Sequence, residues 1–171
     1  MTDAAALPPP ALPAPARGMD ALYAMPGHLV RRVQQASTAL FAEECTGFDL
    51  TPVQYAALVA IRGNPGVDAT RLSHLIAFDR STLGGVLERL EAKGRVLRSP
   101  SPADKRVKLL HLTLDGERLL RRAEPAVRRV QQRLMEPLPP ADRAAMLRLL
   151  LCLATVHNDV TPVPVRAAEG G

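Results

Sequence analysis

Aromatic side chains are scarce in this sequence: they make up 3% of its 171 residues, and tryptophan is absent. Yet 47% of the chain is apolar, so its interior must be aliphatic. The dominance of Ala, Leu, Arg and Val favours helices packed through aliphatic stripes over an all-β fold. Cysteine is equally sparse. Cys45 and Cys152 are too few for a disulfide framework and form neither a CxxC pair nor a cluster with histidine, so both read as buried thiols, with no metal bound. Long apolar runs are missing as well, since charges or prolines interrupt each one before the roughly 18 residues a membrane span requires. The Ala- and Pro-rich stretch Met1 to Arg17 has no basic start leading into an apolar run, so it is not expected to be a secretory signal. A cytoplasmic protein without a membrane partner is the expectation. Catalytic signatures are absent too: there is no HExxH, no Gly-rich phosphate loop and no GxSxG elbow, and His28, His74, His111 and His157 fall on separate expected elements. Nothing points to an enzyme or to a cofactor.

What the chain does have is an uneven charge. Its length suits one cooperative domain with irregular ends, and its formal net charge is +5. Residues 51–113 hold ten of the 22 basic residues and five of the 17 acidic ones; outside that segment the two signs cancel at twelve each. The whole excess therefore lies in the middle third, which suggests an anionic partner, nucleic acid first.

The prolines at 8–10, 13, 15 and 26 make residues 1–26 an irregular arm, and Pro162, Pro164 and the Gly-Gly end do the same for 159–171. Between them, Leu29, Val33, Ala36 and Leu40 predict a first helix over 27–46. Thr51-Pro52-Val53-Gln54 combines a capping hydroxyl, a first-turn proline and a Gln at the third position, opening a second helix to about Arg62. Asp68 can cap a short third helix whose Leu72, Leu75 and Ile76 face inward. A fourth runs from Arg80 to Lys93, with Leu83, Val86, Leu87 and Leu90 on one stripe and Gly94 as terminator. Two β-prone runs, Arg95–Arg98 and Val107–Thr113, flank a Pro-Ser-Pro-Ala-Asp-Lys tip and predict a hairpin. Thr113 then opens a fifth helix, bent at Pro125, with Leu119, Ala123, Val127, Val130 and Leu134 inward. A sixth carries Met146, Leu149, Leu150, Leu153 and Val156. The order is that of a mainly α fold: a winged helix-turn-helix (51–113) with a two-stranded β wing, inside a domain spanning 27–158. The flanking helices, 27–46 and 114–158, carry more apolar surface than the central unit can cover, and a second copy of the chain would cover it.

The major groove of B-form DNA admits a helix that offers short or forked donors near its N-terminus. Arg80, Ser81 and Thr82 meet that need, with Gly85 and Arg89 on the same face; alone, the two hydroxyls read as ordinary helix caps. The hairpin adds weight. Arg95, Arg98, Lys105, Arg106 and Lys108 surround a single acid, Asp104, so a carboxylate can aim a neighbouring guanidinium, and an Arg so held suits a narrow minor groove. A charged, solvated turn is the plain alternative.

Three stretches taken in order, Leu50-Thr51-Pro52-Val53-Gln54-Tyr55, Asp79-Arg80-Ser81-Thr82-Leu83 with Leu87 to Gly94, and Asp104-Lys105-Arg106, resemble the MarR family of winged helix-turn-helix regulators over about residues 27–158. The resemblance implies a triangular homodimer on double-stranded DNA, with two recognition helices in successive major grooves of a pseudopalindrome and each wing at a flanking minor groove. By position it places Ser81, Thr82 and Gly85 near bases, Arg80 and Arg89 on bases or phosphate, and Arg106 in the minor groove with Asp104 orienting it. Gly84 and Gly85 depart from the longer polar side chains of many members. Blocking polymerase, and so repression, is the usual consequence in this family.

The family also implies a small aromatic carboxylate as effector, bound between the dimerisation helices and the DNA-binding unit. His28, Arg31 and Arg32 on the first helix and Tyr55 on the second offer a hydrogen bond, guanidinium forks and a ring for one. Dimer surface and core filling explain the same residues as well. Pro26 to Arg32 and Pro52 to Leu58 are also similar to repressors of bacterial nicotinate degradation, which implies a hydroxylated nicotinate. Two other readings compete. A thiol-based redox switch would use Cys45, although Glu43 and Glu44 beside it disfavour the thiolate. A winged helix that binds protein would lack the steep salt dependence of phosphate contacts.

Overall fold

The computed structural model describes residues 17–156. Seven helices and three short strands follow one another as α1 (Met19–Ala24), α2 (Pro26–Glu44), α3 (Pro52–Gly63), β1 (Val67–Asp68), α4 (Ala69–Leu75), α5 (Arg80–Ala92), β2 (Val96–Pro100), β3 (Lys108–Leu112), α6 (Leu114–Met135) and α7 (Pro140–Val156). The fold is mainly α, with a winged helix-turn-helix at its centre. No helix of the described residues is long and apolar enough to cross a membrane.

Local chemistry sets most boundaries. Thr51 and Gln54 form a complete capping box: the Thr51 hydroxyl accepts from the Gln54 amide at 3.3 Å, and the Thr51 amide donates to the Gln54 side chain at 3.1 Å. Asp68 caps α4 by accepting from the amides of Thr70 and Arg71. At the end of α5 the Arg95 amide donates to the Leu90 carbonyl and the Gly94 amide to Glu91, the paired bonds that close a helix through a left-handed residue, here Gly94 at φ 63°. The same closure ends α4, but with Ala77 at φ 49° where glycine is usual.

Several expectations need correction. Residues 19–24, placed in the irregular arm, form α1; residues 1–16 and the expected tail 159–171 lie outside the described residues, as do the last two positions of the expected final helix. The wing gains a third strand, because β1 pairs with β3 (Val67 opposite Leu110) while β3 pairs with β2 (Val96 opposite Leu112). Only two residues long, β1 is too short for a period-2 pattern to reveal. Leu75 is exposed rather than inward: α4 stops there, and Ile76 packs on the core instead. On α6 the buried positions are Gly116, Leu120, Ala123, Ala126 and Val130, so the stripe is rotated slightly from the expected one, leaving Leu119 and Val127 half-buried at its edge. The helix runs through Pro125 without interruption.

The main core brings together Leu58, Ile61, Leu72, Leu83, Leu87, Leu90, Val96, Leu110 and Leu120. Each such aliphatic side chain contributes about 2 kcal/mol of burial. This cluster welds α3, α4, α5, the sheet and the start of α6 into one head. A second cluster, Phe41, Cys45, Ala126 and Val130, joins α2 to α6 as a stem. Three ion pairs reinforce the stem, Glu44 with Arg129 at 2.8 Å and Arg133 at 2.9 Å, and Glu43 with Arg133 at 2.9 Å. The two guanidinium groups hold the Glu44 carboxyl below its ordinary range. By contrast, α7 buries no residue: Leu147, Leu149, Leu150, Leu151, Leu153 and Val156 are all exposed, as are Leu29, Val30 and Val33 on α2.

Candidate nucleic-acid interface

The helix-turn-helix is built so that α5 presents one face to the core and the other to solvent. Leu83, Val86, Leu87 and Leu90 are buried, while Arg80, Ser81, Thr82, Glu88 and Arg89 are exposed. Packing of the apolar stripe on α3, α4 and β2 thus fixes which residues a groove would meet.

At its N-terminus the cap is Asp79, not Ser81 or Thr82. The Asp79 carboxylate accepts from the Thr82 amide at 3.0 Å, from the Thr82 hydroxyl at 3.1 Å and from the Ser81 hydroxyl. These donors, led by the Ser81 hydroxyl, keep the Asp79 carboxyl below its ordinary range. Both exposed hydroxyls are therefore held in place by an anion. The capping expected of the two hydroxyls thus falls to the residue just before the first turn of α5.

Halfway along the exposed face the side chains vanish. A Cβ on Gly84 would meet nothing within 4 Å, and one on Gly85 would meet only the Arg89 guanidinium at 3.8 Å. The helix here exposes backbone, with Arg89 lying beside it.

In the wing, the Arg106 Nε and Nη2 donate to the two Asp104 oxygens at 3.2 and 3.3 Å, and the Arg106 amide adds a bond to Asp104 at 3.0 Å. The Arg106 side chain is 92% exposed. It is thus a solvent-exposed charge whose direction is set by a neighbouring carboxylate, and that carboxylate is stabilised as the anion by the same contact. Lys105 and Lys108 are exposed on either side. Arg98 sits differently: it is half-buried, with Nε 3.0 Å from a Glu91 oxygen at the end of α5. It braces the wing against α5.

The candidate effector residues are not brought together within one protomer. The Tyr55 ring stands edge-on to Phe41 at 6.3 Å, near the end of α2. His28 lies thirteen residues earlier on that helix, about 20 Å away at 1.5 Å per residue. The expected seam in which His28 and Arg32 face Tyr55 therefore does not form within a single chain. His28 instead packs its ring on Tyr23 of α1 at 5.6 Å, leaving a buried Nε2 without a partner. Arg31 and Arg32 are exposed beside it.

The thiols also divide. Cys45 is buried in the stem, and burial first, then the Glu44 carboxylate, pushes its thiol up from the ordinary value. Cys152, expected to be buried, is exposed on α7, because none of the described residues buries that helix. Among the described residues no group of His, Cys, Asp or Glu is placed to hold a metal.

Comparison with known proteins adds to this geometry. The MarR family model matches residues 50–108, the stretch from the α3 cap to the base of β3. The transcriptional repressor NicR of Pseudomonas putida is 35% identical over 124 residues, spanning 72% of this chain and 78% of NicR. A solved structure of Bordetella bronchiseptica BpsR, whose DNA binding is regulated by 6-hydroxynicotinic acid, is 34% identical with a TM-score of 0.71, covering 75% of this chain and 97% of that one. The repressor CouR bound to a 23-mer DNA duplex is 31% identical with a TM-score of 0.73, covering 81% of this chain and 99% of that one.

Proposed function

Because the chain belongs to the MarR family of transcriptional regulators, we propose that it is a homodimeric repressor that binds a pseudopalindromic operator and is released by a small aromatic carboxylate, a hydroxylated nicotinate foremost. The observation that carries the DNA half of this reading is the pairing of an exposed α5 face with an exposed, carboxylate-aimed Arg106 on the adjacent wing tip. Arg80, Ser81, Thr82, Gly85 and Arg89 would enter the major groove and Arg106 the minor groove, with Lys105 and Lys108 on phosphate. Arg98 and Asp104 would support them from behind. The bare leucines of α7 and the apolar start of α2 supply the self-complementary surface that a two-fold dimer requires.

The effector half rests on His28, Arg31, Arg32 and Tyr55, with the first three reaching the ring and anion from a second protomer. Similarity to BpsR, whose DNA binding is regulated by 6-hydroxynicotinic acid, supports a pyridine acid. The buried, unpartnered His28 Nε2 suits a hydrogen bond to a ring nitrogen or hydroxyl. A DNA-release and thermal-shift screen with benzoate, salicylate, nicotinate and 6-hydroxynicotinate tests it. Release by 6-hydroxynicotinate at the lowest concentration is expected, and no response to either pyridine acid would refute the narrower claim. Redox sensing through Cys45 is disfavoured by its burial and raised pKa.

A further inference from the structure

The residues that close α5 touch the segment that follows α2 and the start of α6, although the body of α5 packs chiefly on α3, α4 and β2. On one side, the Arg95 Nη1 donates to the Asp49 carbonyl at 2.8 Å, and Nη2 reaches the Phe48 carbonyl and the Asp49 carboxylate, each at 3.5 Å. Lys93 adds an ion pair to the same carboxylate. Asp49 follows α2 and holds a left-handed backbone at φ 48°, and Phe48 packs into the stem cluster with Phe41, Cys45, Ala126 and Val130. On the other side, the Arg95 carbonyl accepts from the Thr113 amide at 3.2 Å, and the Thr113 hydroxyl donates to the Gly94 carbonyl at 2.7 Å. One turn into α6, Gly116 lies so close that a Cβ would stand 2.3 Å from the Arg95 oxygen. The Arg95 side chain is only 14% exposed.

We infer that Arg95 is a positioning residue: pinned between Phe48–Asp49 and Thr113–Gly116, it fixes the orientation of α5 on the α2–α6 stem and so the separation of the two recognition helices in the dimer. This rests on the dimeric DNA-binding reading above. A further head-to-stem ion pair, Arg62 with Glu124 at 2.8 Å, joins α3 to α6 and does not touch the end of α5. Arg suits the task because one planar fork reaches two successive carbonyls and a carboxylate together, which an ammonium group cannot do. None of these contacts requires Arg95 to touch DNA. Its effect should appear in the geometry of binding, not in its general strength.

Two measurements on the full chain test this. In the first, a nitroxide is placed at Glu88→Cys in a Cys152→Ser background, leaving Cys45 buried, and the distance distribution between the two recognition helices is recorded without DNA. A narrow distribution is expected, broadened by Arg95→Met and by Asp49→Gly, the latter keeping the left-handed backbone while removing the carboxylate. Partial narrowing is expected with Arg95→Lys. In the second, the unlabelled protein selects its site from randomised duplexes, and affinity is compared between that site and the same site with one base pair inserted at its centre. The penalty for the insertion should fall about tenfold in Arg95→Met, the scale of one mismatched base pair, with affinity for random duplex unchanged. A variant that melts earlier yet keeps the narrow distribution and the full insertion penalty would overturn the inference, reducing Arg95 to a structural contact. If the unmodified protein selects no site while the distributions respond as expected, the positioning role stands and the proposed function fails. No measurable inter-label distance in the unmodified protein overturns the dimer and the inference together.

Discussion

Arg106 is turned onto Asp104, two residues before it, by both ends of its guanidinium, and still exposes nearly all of its side chain. Such a pair contributes little to stability, since both groups are solvated. Its value lies in direction. Arg106→Ala should weaken operator binding about tenfold with an unchanged melting temperature, read by fluorescence anisotropy and thermal denaturation. Asp104→Asn should produce part of the same loss. The Asp104 carboxyl is held below its ordinary value of 3.8, so the aiming contact is present above that value and is lost only as pH falls through the lowered one. The ratio of wild-type to Asp104→Asn affinity should therefore stay constant from neutral pH down to about pH 5.

Thr82→Ala removes a hydroxyl but leaves the backbone amide that Asp79 accepts from, so α5 keeps its cap. Discrimination between operator and random duplex should fall more than total affinity does. Asp79→Ala strips the cap itself and should lower the melting temperature. Equal effects of the two substitutions on melting would show that Thr82 is structural.

Replacing glycine by alanine inside an exposed helix ordinarily stabilises a protein. At Gly116 the sign reverses, because a Cβ would stand 2.3 Å from the Arg95 carbonyl oxygen and 2.6 Å from the Leu112 side chain. Gly116→Ala should destabilise by about 3 kcal/mol, measured by urea denaturation. A neutral result would mean that α6 can slide away from the wing.

The uncovered leucines of α7 predict a dimer that charge can split. Leu150→Arg with Leu153→Arg should yield a monomer by sedimentation equilibrium, and operator binding should become far weaker, because each half-site is then bound alone. Arg106→Ala should remain dimeric in the same assay.

Cys45 should stay unreactive toward a small alkylating reagent until the protein unfolds, since its thiol is buried and its pKa raised. Peroxide treatment should leave operator binding intact. Loss of binding that a reductant restores, and that Cys45→Ser abolishes, would revive the redox reading.

Much of the fold was legible because its signals are local. Thr51 with Gln54, Asp68 and Gly94 each act within four residues of the position they cap or close, so their residue types announce the boundary. The buried stripe of α5 followed from 3.6-residue spacing, and the Asp104–Arg106 pair from adjacency. What escaped depends on contacts distant in sequence. β1 exists because β3 offers it an edge more than forty residues later, and the inward face of α6 is fixed by packing against α2 and the head, which decided between neighbouring apolar positions. The seam between His28 and Tyr55 does not close within one chain for a related reason: helix length separates residues that a one-dimensional pattern treats as neighbours. Arg95 carried no signal, because one arginine in a basic segment looks like any other until its carbonyl partners are known.

The paired glycines at 84 and 85 have a consequence for how operators can drift. In the proposed docking, a recognition helix with side chains at both ends of its exposed face and bare backbone between them interrogates the margins of a half-site and leaves the middle to water and to DNA shape. Base changes there should be tolerated, whereas changes under Arg80 to Thr82 or under Arg89 should not. A regulator built this way can acquire new target promoters through mutations in the central positions while its own sequence stands still.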